Sequence, residues 1–273
     1  MNRVKQTAIA ESELQRALDC GELIRLYQPI VDLATDEPVG FEALVRWDHP
    51  ARGLLGPADF LLDEDDNALL VRIGWSVVIE AIQRAGHWRR TFPDRPITVS
   101  VNLSTGQLER RDLSARVEQL LRANEVSGPR ALAFEVGERH LLSRRLRARD
   151  RLTALRNVDV DIVVDDFGAT AAASDVEADE LRDSALELLE SLATFPLDVV
   201  KLAPRFVTRL GTDARIAEVV DVAHAGGLRV VALAVENEDD VRRARDAGCD
   251  LAQGFHYFHP ERPSYIDQLL AGG

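Results

Sequence analysis

The sequence has few of the residues on which secreted or membrane-spanning proteins depend. Its 273 residues include only two cysteines, Cys20 and Cys249, which lie far apart and form no paired motif. A disulfide-stabilised secreted scaffold is therefore excluded, and a reducing compartment is indicated. No apolar run approaches the ~18 residues that a membrane span needs, and the N-terminus lacks the apolar stretch of a signal peptide. We expect a cytoplasmic protein with no membrane partner.

Basic residues are also scarce relative to acidic ones. Thirty-three Lys and Arg stand against 46 Asp and Glu, a formal net charge of −13. This balance argues against a protein that coats a nucleic-acid polymer or an anionic membrane, because both need a basic surface. A small phosphorylated ligand stays compatible, since metal ions and a few arginines can override the global field. The hydrophobic content of 46% is sufficient for a substantial core.

Short apolar runs rich in β-forming residues alternate with segments of helical periodicity along almost the whole chain. The predicted strands are Leu23–Ile30, Pro38–Val45, Ile97–Asn102, Ala131–Val136, Val160–Asp165, Asp198–Leu202, Arg229–Val235 and Leu251–Phe255. Strands that alternate with helices indicate a mostly parallel α/β sheet. Eight of them favour a modified TIM-type (β/α)8 barrel over an open sheet.

Polar residues interrupt or follow these strands at similar positions. They are Glu42, Asn102, Glu135, Asp165, Asp166, Lys201, Glu236 and Gln253. Burial of an unpaired polar group is costly, and the chemistry of such barrels lies at the C-terminal ends of the strands. A ring of carboxylate and amide oxygens there is typical of a site for a hard cation such as Mg²⁺, Mn²⁺ or Ca²⁺, rather than zinc.

The motifs that carry these residues resemble those of EAL domains, the cyclic di-GMP phosphodiesterases. The opening segment from Tyr27 to Leu61 contains Glu42-Ala43-Leu44. It is followed in the expected order by SVNLS (100–104), FEVGE (134–138), DDFG (165–168), VVKL (199–202) and QGF (253–255). The resemblance begins near Leu14, so we expect a short N-terminal extension, 1–13, and one barrel domain, 14–273.

The resemblance implies a two-metal hydrolase that opens cyclic di-GMP to pGpG. Its metal ligands would be Glu42, Asn102, Glu135 and Asp165 for a first Mg²⁺ or Mn²⁺, with Asp165 and Asp166 at a second. Such a metal pair lowers the pKa of a shared water and neutralises charge on the phosphodiester. Catalytic roles fall to Lys201, which would hold the attacking water, and to Glu236. Ligand contacts fall to Gln28, Arg46 and Gln253, and support of the loop after DDFG falls to Glu138.

Several positions depart from the family pattern. Leu233 stands where the family motif AEGVE has its first, catalytic Glu, and Ala203 replaces the Asp of the family's KID. The loop after DDFG, at 169–174, has also lost the family sequence, and the segment 169–193 is longer. Neither Leu nor Ala can coordinate a cation, so the second metal would be weakened and the water poorly activated.

Three hypotheses follow. The first is a degenerate EAL domain that binds cyclic di-GMP or a protein partner, itself included as a homodimer, with hydrolysis lost or impaired. The second is an active Mg²⁺- or Mn²⁺-dependent phosphodiesterase, favoured by the retained first metal site and Lys201. The third is an interaction scaffold that binds no ligand. Gln28, Arg46 and Gln253 argue against the scaffold, which has no need of them.

Overall fold

Eight strands close into a barrel. A ninth short strand lies outside the ring and pairs antiparallel with one of the eight. The computed structural model describes residues 9–60, 68–126, 128, 130–143, 145–169, 178–210 and 214–272. The strands are β1 (Leu23–Asp32), β2 (Pro38–His49), β3 (Gly53–Leu55), β4 (Thr98–Asn102), β5 (Leu132–Gly137), β6 (Val160–Phe167), β7 (Val199–Leu202), β8 (Arg229–Leu233) and β9 (Leu251–Gln253). Their order is β1-β9-β8-β7-β6-β5-β4-β2-β3, and pairing of β1 with β2 closes the ring. The predicted α/β barrel is confirmed.

The first strand runs against its neighbours. β1 pairs antiparallel with both β2 and β9, whereas the pairs from β2 through β4 to β9 are parallel. The cause is the short connection after Asp32, because only antiparallel strands can be joined by a tight turn. Asp32 Oδ1 accepts the backbone N–H groups of Ala34 and Thr35 at 2.9 and 3.1 Å, which fixes that turn.

Helices cover the outside of the barrel. They are α1 (Glu11–Asp19), α2 (Pro57–Phe60), α3 (Ala68–Thr91), α4 (Thr105–Leu108), α5 (Leu113–Ala123), α6 (Glu138–Ser143), α7 (Arg145–Arg156), α8 (Ala178–Leu192), α9 (Pro204–Val207), α10 (Ala214–Ala225), α11 (Glu238–Asp246) and α12 (Pro263–Gly272). In the described part of the chain, no helix is long and apolar enough to cross a bilayer. Helix α1 begins at Glu11, and Ile9 and Leu14 pack with Trp47 at the barrel rim.

Side chains that point into the barrel form two layers because alternate residues of a strand share a face. The lower, apolar layer contains Ile30, Ala133, Val163, Val199, Val231 and Leu251. The upper layer lies two residues away on each of these strands and contains Gln28, Glu135, Asp165, Lys201, Leu233 and Gln253. The upper layer therefore brings the polar residues together at the C-terminal end of the barrel.

Several predicted strand ends were wrong in detail: β1, β2, β5 and β6 run past the predicted ends, whereas β8 and β9 stop short of them. β8 ends at Leu233 rather than Val235, and β9 ends at Gln253 rather than Phe255. After β8 the chain turns sharply at Ala234, which has a φ of 54°. Glu236 consequently lies in the loop that leads to α11, not at the end of a strand.

Candidate functional site

A buried lysine lies at the centre of the upper layer. The Nζ atom of Lys201, on β7, is 2.9 Å from Oε2 of Glu42 on β2. It is also 2.5 Å from Oε1 of Glu135 on β5. All three side chains are buried, and Glu135 Oε2 has no hydrogen-bond partner among the described residues. One ammonium thus bridges two carboxylates in a water-poor environment.

Three amide side chains complete the surroundings of Glu42. Asn102 Nδ2 donates to Oε1 of Glu42 at 2.9 Å, and Gln253 Nε2 donates to Oε2 at 2.7 Å. Gln253 also donates to Oε1 of Gln28 at 3.2 Å, and Gln28 donates to the carbonyl of Phe258 at 3.3 Å. The predicted metal, catalytic and ligand residues of six strands therefore meet in one cluster of hydrogen bonds and ion pairs.

The ionisation of this cluster follows from burial and from its charges. Burial and the nearby charge of Glu42, only partly offset by Lys201, raise the pKa of Glu135 to about 8. Burial also acts to raise the pKa of Glu42, but Lys201 and the hydrogen bonds from Gln253 and Asn102 outweigh it and hold that pKa below its ordinary value. Burial disfavours the charged form of Lys201, yet Glu135 and Glu42 raise its pKa. Near neutral pH the charged pair is Lys201 with Glu42, and Glu135 is available to hold a proton.

Asp165 and Asp166 lie at the edge of the cluster, near the end of β6. Burial, with the negative charges of Glu42 and Asp166 opposed by Lys201, raises the pKa of Asp165. Asp166 has a left-handed φ of 49°. The predicted loop support is visible too: Oε2 of buried Glu138 accepts the backbone N–H of Gly168 at 2.7 Å. Of the altered loop at 169–174, only Ala169 is among the described residues.

Two cavities flank the two aspartates. The larger, about 490 Å³, is bounded by β2, α3, α4 and the start of α6, and the smaller, about 290 Å³, by β8, β9 and the loops that follow them. Asp165 and Asp166 line both cavities. Leu233, Glu236 and Gln253 line the smaller one. The position at which the family has a catalytic Glu therefore does face the site, with an apolar side chain.

Two of the singled-out residues lie apart from these cavities. Ala203 is buried, follows β7 and precedes α9, and its N–H donates to the carbonyl of Phe167 at 3.1 Å. The guanidinium of Arg46 donates to the carbonyl of Val45 at 2.8 Å. Burial lowers the pKa of Arg46, and the charge of Glu42 opposes this shift. The contacts of Arg46 with a ligand remain a prediction.

The sequence reasoning missed the wall of the larger cavity. Ser104 and Gln107 form a capping box at the start of α4, in which each side chain accepts from the other's backbone N–H. Gln107 then packs so tightly against Gly74 of α3 that a Cβ there would lie 2.3 Å from Gln107 Oε1. The pattern Ser-x-x-Gln after the SVN strand was the available signal for this cap. His140, also in the wall, had no such signal.

The donor chemistry of the site suits a divalent cation only in part. Glu42, Asn102, Glu135, Asp165 and Asp166 offer the oxygen atoms that Mg²⁺ and Mn²⁺ prefer. However, no group of three or more carboxylate, imidazole or thiol side chains in the described ranges is placed to hold a metal ion. Lys201 is the cation that contacts Glu42 and Glu135 in this arrangement.

The fold and the cluster define an α/β-barrel protein with a polar site at the C-terminal ends of its strands. The EAL domain model matches residues 11–176 and 183–260, which is most of the chain, and the chain therefore belongs to the EAL domain family. The unmatched residues 177–182 fall within the segment, 169–193, in which the sequence departs from the family pattern. This membership places the chain in cyclic di-GMP signalling.

Individual relatives extend the comparison. The protein Rv1357c of Mycobacterium tuberculosis is 34% identical over 255 residues, which cover 90% of this chain and 78% of that protein. The cyclic di-GMP phosphodiesterase RocR of Pseudomonas aeruginosa is 29% identical over 276 residues, 98% of this chain and 66% of RocR.

Solved structures share the fold. The PaMucR phosphodiesterase in its c-di-GMP complex superposes with a TM-score of 0.80 at 27% identity, over 93% of this chain and 98% of that one. The FimX EAL domain from Pseudomonas aeruginosa, bound to c-di-GMP, has a TM-score of 0.75 over 91% of this chain and 94% of its own, at 21% identity. The second likeness concerns the fold alone.

Proposed function

We propose that this domain is a cytoplasmic receptor for cyclic di-GMP in which hydrolysis is lost or badly impaired. The observation that carries the proposal is Leu233, which lines the smaller cavity beside Glu236 and Gln253. An alkyl side chain at this place can neither bind a metal nor accept a proton from water. Ala203, outside the two cavities, stands where the family pattern has a second carboxylate. Two carboxylates that would help to activate a hydrolytic water are thus missing, at positions 233 and 203. The cluster of Glu42, Gln253 and Gln28 is intact.

The shape of the site supports a ligand with two similar halves. Cyclic di-GMP is a ring of two guanosine monophosphates, and the two cavities of about 490 and 290 Å³ meet at Asp165 and Asp166. Together they have the size that small-molecule sites usually have. Lys201 is the buried cation of the neighbouring cluster, and a contact of Arg46 with a phosphate group stays a prediction. The relatives RocR, a cyclic di-GMP phosphodiesterase, and PaMucR, in a c-di-GMP complex, support this choice of ligand.

The second candidate is an active metal-dependent phosphodiesterase that produces pGpG. The juxtaposition of Glu42, Glu135 and Lys201 favours it, because these residues match the family's catalytic positions. Loaded with Mg²⁺ or Mn²⁺, held by Glu42, Asn102, Glu135, Asp165 and Asp166, the site would gain a Lewis acid that lowers the pKa of water. In the metal-free receptor Glu135 and Lys201 hold protons, whereas Glu135 would be ionised if it held a metal ion. In both candidates Gln253 orients Glu42.

A binding and turnover experiment separates these candidates. Cyclic di-GMP affinity is measured by calorimetry in EDTA and in Ca²⁺, and pGpG formation is followed chromatographically in Mg²⁺ and Mn²⁺. We expect saturable binding with little or no pGpG. Gln253→Ala should weaken binding about tenfold or more. The substitution removes a side chain that lines the smaller cavity and whose amide donates the hydrogen bond that orients Glu42. The matched control is Gln268→Ala, at an exposed position of α12.

The other outcomes are equally definite. Rapid metal-dependent turnover that disappears in Glu42→Ala would overturn the receptor proposal and establish the phosphodiesterase. A folded protein with neither binding nor turnover would overturn both and leave the interaction scaffold. A protein partner or a homodimer would be sought next by light scattering with and without the nucleotide.

A further inference from the structure

A further cavity lies at the opposite end of the barrel, beneath the candidate site. Its volume is about 580 Å³, within the usual range for small-molecule sites. Its wall includes Arg130, Asp161 and Arg229 at the mouth and Ser100, Ala133 and Val163 farther in. The interior of an eight-stranded barrel is normally filled by layers of side chains, so a cavity of this size is uncommon.

The mouth of this cavity is positively charged although the chain as a whole is acidic. Arg89, Arg130 and Arg229 line it, and the one carboxylate among the mouth residues is Asp161. The guanidinium groups of Arg130 and Arg229 lie 3.8 and 3.5 Å from Oδ2 of Asp161, too far for short hydrogen bonds. The two guanidinium groups of Arg130 and Arg229 against the single carboxylate of Asp161 leave a net positive mouth, which attracts anions.

Deeper in the cavity the wall becomes apolar and carries one hydroxyl group, and beyond this zone lie Glu135 and Lys201. The lower barrel layer of Ala133, Val163 and Val231 surrounds the middle of the cavity. Level with Ala133, its register partner on the neighbouring strand, lies Ser100, which is only 2% exposed and whose Oγ has no hydrogen-bond partner among the described residues. A buried hydroxyl without a partner is unfavourable, and a polar atom inside the cavity would relieve that cost.

We propose that this cavity, the lower cavity, binds a small organic anion with a compact aliphatic or aromatic body. The anionic head would lie between Arg130 and Arg229, whose guanidinium groups suit a carboxylate. The apolar body would contact Ala133, Val163 and their neighbours. The inner wall contains Glu135 and Lys201, so the ligand would lie directly beneath the cluster of the candidate site. The proposal does not depend on what the candidate site binds.

The test uses charged probes and uncharged analogues of the same shape. Hexanoate and benzoate are titrated into the full chain, and hexanamide and benzamide serve as the matched uncharged probes. Binding is measured by ligand-observed NMR and by the shift in melting temperature with probe concentration. We expect saturable binding of a carboxylate, at least about tenfold tighter than its amide, because the arginines recognise the charge.

Two sets of variants locate the binding. Arg130→Gln with Arg229→Gln should weaken carboxylate binding about tenfold or more. The control pair Arg147→Gln with Arg149→Gln, at exposed positions of α7 away from the lower cavity, should leave it unchanged. Ala133→Leu should abolish binding by filling the cavity. Gln253→Ala, which alters the wall of the smaller upper cavity, should leave binding intact, and this result would exclude the candidate site as the place of binding.

Three results would overturn the proposal. They are the absence of saturable binding of both carboxylates, equal affinity for acids and amides, and unchanged affinity in the Arg130/Arg229 double variant. Cyclic di-GMP affinity is measured on the same samples. Loss of cyclic di-GMP binding would contradict the receptor proposal, whereas loss of carboxylate binding would contradict the lower-cavity proposal, so the two failures are distinguishable.

Discussion

The ammonium nitrogen of Lys201 lies 2.5 Å from Oε1 of Glu135, and both side chains are almost completely buried. A second carboxylate, that of Glu42, lies 2.9 Å from the same nitrogen. Burial of a charge without a partner costs much desolvation free energy. Burial of an ion pair costs less, because the attraction between its two charges offsets part of that free energy. The stability of the barrel and the charge state of its site are therefore coupled through one lysine.

The first prediction concerns the loss of that lysine. Lys201→Met should lower the free energy of unfolding at neutral pH by about 3–5 kcal/mol, because it leaves Glu42 buried without a cation. The measurement is urea denaturation followed by circular dichroism. Glu42→Gln in the Lys201→Met background is the control and should recover part of the loss. Equal stability of Lys201→Met and the parent would show that the ion pair contributes nothing.

The second prediction concerns pH. Glu135 has a pKa of about 8 in the folded protein, above the ordinary carboxyl value of 4.5. The folded state therefore keeps a proton that the unfolded chain releases as pH rises from about 4.5 to about 8. The free energy of unfolding of the metal-free protein should fall across this window, by up to about 1.4 kcal/mol per pH unit from this group.

Glu135→Gln tests this directly, because the amide cannot titrate. In EDTA, the variant should lose less stability than the parent between pH 5 and pH 8. The exposed-surface control is Glu118→Gln on α5, which should follow the parent. Parallel pH profiles for Glu135→Gln and the parent would mean that Glu135 is already ionised at low pH.

The sequence was sufficient to predict the barrel and the residues at its upper end. Alternation along β5 and β7 places Glu135 and Lys201 on the inner face, two residues from Ala133 and Val199. It was not sufficient to show that Lys201 would contact both glutamates, because that depends on the closure of the ring. The antiparallel orientation of β1 relative to β2 and β9 was also missed. The hydrophobic pattern of a strand does not show whether it runs parallel or antiparallel to its neighbours. The lower cavity was invisible because it results from small side chains of many separate strands.

The third prediction concerns the lost carboxylates. Leu233→Glu combined with Ala203→Asp should raise Mn²⁺-dependent pGpG formation at least about tenfold over the parent, because it returns groups that activate water. The matched control, Leu233→Gln with Ala203→Asn, has nearly the same shape and no added charge. We expect no gain in the control. Similar rates in all three proteins would show that another feature, such as the loop at 169–174, limits turnover.

The fourth prediction concerns the backbone after β8. Ala234 has a φ of 54°, a conformation in which a Cβ atom is strained and which the family pattern fills with Gly. Ala234→Gly should raise the free energy of unfolding by roughly 1 kcal/mol, the order of the left-handed penalty for Ala. Ala232→Gly, in β8 with no positive φ, is the control and should destabilise the protein. A loss of stability in Ala234→Gly would show that the turn tolerates the methyl group without strain.

The hydrogen bond from Gln253 to Gln28 joins residues that are 225 positions apart, across the seam between the first and last strands. β1 and β9 share only the pairs Val31 with Ala252 and Asp32 with Leu251, supplemented by the bridge from Tyr27 to Glu261. During synthesis, β1 is made long before β9, so the seam lacks its second strand until β9 has been made. The site can therefore form only after synthesis reaches β9, and its folding has the high contact order of a slow, late step. Chains that end before β9 would leave the edges of β1 and β8 unpaired. Such open sheet edges are prone to aggregate, and chains that carry them become substrates for chaperones and proteases.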